Sequence, residues 1–144
     1  MGEKSQTTGM ASEFYVLSCL YRIGAKAHLT LGQNKAVDII VEKPDSLLTI
    51  DVKGLQDKHS SFPIDHVTKK DKNHFIVFVA FNGKFKETNY PPDIYIVPAA
   101  ELPYMELDGE SIIYISPKDN LKRVYLSKLR KLNDKYKDKW EPFI

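Results

Sequence analysis

The stretch HFIVFVAFN, residues 74–82, constrains the fold more than any other part of this chain. Phe75 to Phe81 are all apolar, with no polar residue alternating between them. A strand exposed on one face alternates with a period of two, so an unbroken run of strand length needs cover on both faces. Asn82-Gly83 closes the run as a turn. The consequence is a sheet lying between other layers, with this strand at its centre.

The flanking segments supply those layers. Residues 5–23, SQTTGMASEFYVLSCLYRI, have the helical period. Met10, Phe14, Leu17 and Tyr21 line up on it, beside Val16, Leu20 and Ile23. Ser5, Thr7 and Thr8 offer caps, and Gly24 a stop. AKAHLTL, AVDIIVE and SLLTIDVKG read as three strands, the last two forming a hairpin around Pro44 and Asp45. Residues 55–73 are polar and read as a loop with a helical turn near Ile64 to Lys70. PDIYIVPAAEL and SIIYIS read as further strands. A basic helix is expected at about 119–139, with Leu121, Val124, Tyr125, Leu129 and Leu132 inward and Asp119 or Ser116 near its cap. The fold class is therefore α/β, a mixed β-sheet flanked by helices, with the 144 residues forming one domain.

Several function classes drop out early. No apolar stretch approaches the roughly 20 residues that cross a bilayer. MGEKSQTTGM lacks the apolar core of an export signal, and Cys19 is the one cysteine, so a reducing, cytoplasmic setting is expected. Cys19 sits among Leu17, Leu20 and Tyr21, which suits a packed, inert thiol. The four histidines have no ligand spacing and no glycine-rich phosphate loop occurs. Net charge is +2, yet residues 118–144 hold nine Lys/Arg against four Asp/Glu. That asymmetry suits either a polyanion partner or a solvated helix face.

The chemistry gathers around LTIDVKG, residues 48–54. Side chains alternate along a strand, so Thr49, Asp51 and Lys53 share the face opposite Leu48, Ile50 and Val52. Pairing around Pro44 brings Asp38 toward Asp51. Two carboxylates and an ammonium then converge beside an apolar core. Neighbouring carboxylates repel unless a cation lies between them. Mg²⁺ suits such a pair, since it accepts one or two carboxylates and keeps several waters. Glu13, on or beside the apolar stripe of the first helix, calls for a partner as well, because a buried lone charge is costly. Gly9, Ala11 and Ser12 beside it leave room for close approach.

Glu13 on a helix, Asp38 on a strand and Asp51-Val52-Lys53 on the next strand resemble the PD-(D/E)xK nuclease superfamily, the restriction-endonuclease-like fold. GMASEFYVLSCLYRIGAKA followed by VDIIV is similar to the opening of its small Holliday-junction-resolvase-like members. Of the nineteen acidic residues, Asp51 alone has lysine two positions later. Val37 stands where the family's name would place proline, a departure many members share. The resemblance implies an αβββ(α)β core over about residues 5–100. It also implies a Mg²⁺-dependent DNA endonuclease, with Mn²⁺ able to substitute. Asp38, Asp51 and the Val52 carbonyl would bind the ion, with Glu13 holding outer-shell water or a second ion. Lys53 would orient the attacking water, and Gln56 is a further polar candidate.

DNA would be held elsewhere. Lys69, Lys70, Lys72 and His74 precede the central strand, and Lys122, Arg123, Lys128, Arg130 and Lys131 lie in the basic tail. Such residues contact phosphates without reading sequence. The chain has little room for base-reading elements, so structure-selective or nonspecific cleavage is expected. A homodimer is compatible with this reading. The alternative is a catalytically silent nuclease-fold protein that binds nucleic acid or a protein partner, including a toxin or defence module.

Overall fold

A computed structural model describes residues 3–31, 37–64 and 72–144. Helix α1 (Glu3–Arg22) opens the chain and is followed by strands β1 (Lys26–Leu29), β2 (Ile39–Lys43) and β3 (Ser46–Leu55). A short strand β4 (Ser61–Pro63) comes before β5 (His74–Ala80) and β6 (Asp93–Pro98). Beyond a 3₁₀ turn lie β7 (Glu106–Leu107), β8 (Glu110–Ser111), β9 (Ile113–Ile115), β10 (Lys122–Tyr125), and the short helices α2 (Leu126–Lys131) and α3 (Asn133–Tyr136).

The main sheet has the order β1-β2-β3-β5-β6. The β3–β5 pair is parallel and the other neighbours are antiparallel. All seven residues of β5 are buried, as the unbroken apolar run requires. Its two faces serve two cores. Phe75, Val77 and Val79 join Val16, Leu20, Ile39, Ile50 and Val52 under α1. Ile76 and Phe78 join Phe62, Val124, Leu126 and Leu129 on the other side. The second cover is a three-stranded sheet, β4-β10-β9, together with α2 and α3, which add Leu126, Leu129 and Tyr136 to the same core.

Three expectations need correction. The basic tail is not one helix over 119–139: residues 122–125 form β10, because Val124 fills the core between the sheets while its neighbours face outward. Asp119 caps no long helix; its carboxylate accepts from the Leu121 amide and pairs with Arg123. Helix α1 also buries a different stripe from the one its apolar residues mark. Thr8, Ser12, Val16 and Leu20 face the sheet, whereas Met10, Phe14 and Tyr21 are more than half exposed. The reason lies in β3. A Cβ at Gly54 would stand 2.0 Å from Ser12 Oγ, so helix and strand meet at a distance only small side chains allow. The helical turn expected within 64–70 falls largely outside the described residues.

The hairpin turn at Pro44-Asp45 stands as read, with β2 and β3 in register from Ile39↔Ile50 to Lys43↔Ser46. Asp108 and Gly109, at φ 55° and 82°, make the tight turn joining β7 and β8. Among the described residues no helix is long and apolar enough to cross a membrane.

Candidate active site

The site forms where β2 comes to an end beside β3. The Thr49 amide donates to the Asn73 carbonyl at 2.9 Å, so odd-numbered residues of β3 turn their backbone groups toward β5. Even-numbered residues face β2, and the Ile50 carbonyl accepts from the Asp38 amide at 2.9 Å. Ile39↔Ile50 is the last ladder pair, which leaves the Val52 amide beyond the end of β2. The Asp38 carboxylate takes that donor, with Oδ2 2.8 Å from Val52 N. Asp38 thus substitutes for a missing strand partner, and its side chain is pinned to the middle of the Asp51-Val52-Lys53 triplet. The Asp38 carbonyl is held in turn by the amide of Thr30 at 2.9 Å.

Asp51 is buried, and its partner is His74 rather than Lys53. His74 Nε2 lies 3.1 Å from Asp51 Oδ2, and His74 Nδ1 lies 2.7 Å from Thr49 Oγ1. His74 is fully buried at the start of β5, which removes it from the phosphate contacts expected of it. The sequence carried one usable signal for this contact. A histidine opening a fully apolar strand must find a polar partner on an adjacent strand. Lys53 is half-buried, and among the described residues its ammonium forms no ion pair.

Glu13 is half-buried on α1, its Oε2 4.0 Å from where a Cβ on Gly9 would stand. It follows Ser12 on α1, on the sheet face of Ile50, Val52 and Gly54, whereas alternation puts Lys53 on the other face of β3. Among the described residues no three His, Cys, Asp or Glu side chains gather as a metal cage, so Glu13 does not join both aspartates in one. Gln56 has a structural partner, donating from Nε2 to Thr8 Oγ1 at 2.7 Å. That hydroxyl donates in turn to the Lys4 carbonyl at 2.7 Å, and the Gln56–Thr8 bond ties the end of β3 to α1.

The cationic residues divide. Lys69 and Lys70 lie outside the described residues. Lys72 is exposed just before β5. Lys122 is exposed on β10, and Arg123 pairs with Asp119, whose carboxyl that guanidinium holds below its ordinary range. Arg130 is spent on structure: its Nη2 donates to the Lys58 carbonyl at 2.9 Å and to Asn82 Oδ1 at 2.7 Å. Lys128 lies 5.7 Å from the centre of the Tyr125 ring, which stacks on Tyr114. Cys19 is half-buried, and burial pushes its thiol upward, which suits an inert side chain.

The donors of the site are carboxylate oxygens, together with the Val52 carbonyl on the same strand edge as its amide. Such a set suits a hard ion such as Mg²⁺, which needs few protein ligands and retains water. The residues present fit that group.

No protein-family model matches the chain, and no curated protein does. Solved structures do. A bacterial homing endonuclease, I-Ssp6803I, superposes with a TM-score of 0.55 at 14% identity, over 88% of this chain and 76% of that one. The Holliday junction resolvase Hjc of Archaeoglobus fulgidus superposes with a TM-score of 0.50 at 13% identity, over 83% of this chain and 84% of the other. Helix, hairpin, central strand and flanking layers therefore make up the restriction-endonuclease-like fold that Glu13, Asp38 and Asp51-Val52-Lys53 had suggested.

Proposed function

We propose that this chain is a divalent-metal-dependent DNA endonuclease, hydrolysing phosphodiester bonds in a structure-selective or nonspecific way. The observation that carries the reading is the Asp38 carboxylate on the Val52 amide. That bond fastens a second carboxylate to the middle of the Asp51-Val52-Lys53 triplet. The names of the two similar structures, both DNA-acting nucleases, support the same class of activity.

Asp38, Asp51 and the Val52 carbonyl would hold Mg²⁺, or Mn²⁺ in its place. When bound, the ion supplies charge neutralisation at the phosphate and an acidified water. Lys53 is free of carboxylate partners among the described residues, so its ammonium is available to align the attacking water and to offset charge on the phosphate. Glu13, beside the Ser12–Gly54 contact, would order water at the rim of the site. Lys72, close in sequence to His74, and Lys122 would contact phosphates, each adding salt-dependent affinity.

The test is cleavage of labelled duplex, flap, four-way-junction and single-stranded DNA with Mg²⁺, Mn²⁺ or EDTA, beside Asp51→Ala and Lys53→Ala. Metal-dependent cleavage that both substitutions abolish is expected. A folded wild type that cuts none of these and binds no metal would replace this reading with that of a silent binding protein.

A further inference from the structure

The carboxylate of Asp51 is braced from behind by a chain of three side chains. Thr49, Asp51 and His74 share one face of the sheet, on the two parallel strands β3 and β5. The imidazole of His74 is closed off from solvent, and Ile76, next on its face, is equally buried. Both ring nitrogens are engaged, Nε2 with Asp51 Oδ2 at 3.1 Å and Nδ1 with Thr49 Oγ1 at 2.7 Å.

The chemistry of the partners orders the hydrogens. An ionised carboxylate accepts only, so Nε2 must carry the proton that it gives to Oδ2. In the neutral ring Nδ1 is then an acceptor, and the Thr49 hydroxyl, which can donate, supplies it. The Asp51 carboxylate therefore sets the tautomer, and Thr49 supports it by donating to Nδ1. With Oδ2 fixed, the carboxylate cannot swing about its χ2, and Oδ1 is the oxygen left for an ion.

We propose that His74 is a positioning residue for the metal carboxylate Asp51, with Thr49 holding the far side of its ring. This rests on reading the site as metal-dependent. Partners of metal ligands characteristically change metal affinity 10–100-fold when they are removed. His74 stands in that relation to Asp51, although it would never touch the ion or the DNA.

Two readouts on the full chain test it. The first is Mn²⁺ affinity by calorimetry for the wild type, Asp51→Ala, His74→Leu, His74→Gln and Thr49→Val. His74→Leu should weaken Mn²⁺ binding about 10–100-fold. His74→Gln, whose amide can still donate to Oδ2, should recover most of that loss, and Thr49→Val should fall between them. The second is the imidazole ¹⁵N and ¹H spectrum of the wild type, which stays informative if His74→Leu does not fold. It should show the proton on Nε2, with a resonance that moves as Mg²⁺ is added. Wild-type affinity in a folded His74→Leu, a proton on Nδ1, or an Nε2 signal unmoved at Mg²⁺ saturation would overturn the role of His74 alone. Absence of Mn²⁺ binding in the wild type would instead overturn the metal site, and with it both readings.

Discussion

Gly54→Ala tests how closely β3 and α1 are fitted. The added Cβ would stand 2.0 Å from Ser12 Oγ, 3.0 Å from Ser12 Cβ and 3.1 Å from Thr8 Cγ2. The Ser12 hydroxyl could rotate away only by giving up its bond to the Thr8 carbonyl at 2.6 Å. The Ser12 Cβ has no such escape. Carbon atoms pack at about 3.5–4.0 Å, so the helix must lift by roughly 0.5–1 Å. Overpacking of this kind costs about 1–3 kcal/mol. Lifting also stretches the Gln56–Thr8 bond, and a typical hydrogen bond contributes about 0.5–1.5 kcal/mol. Against this, alanine restricts the unfolded chain and returns about 0.4–1 kcal/mol. The steric cost wins, with a net loss of about 2 kcal/mol. At this chain length the melting temperature should fall by about 4–8 °C. Urea unfolding of the two single variants and the Ser12→Gly/Gly54→Ala double variant measures the contact directly. The cycle should return a coupling of about 1 kcal/mol or more, since Ser12→Gly removes the two closest contacts. A Gly54→Ala protein within about 0.5 kcal/mol of wild type, or single effects that simply add, would refute the reasoning.

Three further outcomes follow from particular contacts. Asp38→Ala leaves the Val52 amide without its acceptor and should cost about 1–3 kcal/mol in urea unfolding. Asp38→Asn can still accept from that amide, so it should keep most of the stability while losing Mn²⁺ affinity. Burial and the neighbouring Glu101 carboxylate push the Tyr136 hydroxyl up to about 12. An acid raised in the folded state binds its proton more tightly there, so its stabilisation is complete below pH ~10 and is lost as pH rises toward ~12. Tyr136→Phe should flatten the decline of stability with pH across that window, as followed by thermal melts in alkaline buffers. Lys72→Ala should lower the salt slope of DNA binding by about 0.9 for one lost phosphate contact. Arg130→Ala should leave that slope unchanged and instead lower stability, because its guanidinium is committed to Lys58 and Asn82. Fluorescence anisotropy at several salt concentrations, beside melts, separates the two.

Much of this architecture was legible in the residues, and what was missed has physical causes. The apolar run at 75–81 forces two covering layers, and β5 indeed serves two cores. Pro44-Asp45 between two β-branched runs marks a hairpin that local turn chemistry is sufficient to specify. The stripe that α1 buries could not be read from hydrophobicity, because it depends on Gly54, some 40 residues away, admitting Ser12 and Thr8. The tail was misread for a related reason. Its charged residues have good helix propensity, yet tertiary burial of Val124 between the sheets draws residues 122–125 into a strand. At the site, the convergence of Asp38 on the triplet followed from strand alternation. The form it takes, a carboxylate on the Val52 amide, follows from β2 stopping at Ile39. The partnership of Asp51 with His74 spans a parallel pairing of distant strands, which alternation within one hairpin cannot reveal.

The most direct test of the central claim is diffraction from crystals soaked in Mn²⁺, recorded at a wavelength where manganese scatters anomalously. The account predicts a peak shared by the Asp38 and Asp51 carboxylates and the Val52 carbonyl. Ligand distances should be near the roughly 2.1 Å of a hard ion on oxygen, with water completing the coordination. A well-ordered crystal with a manganese peak elsewhere, or none at saturating metal, would contradict it.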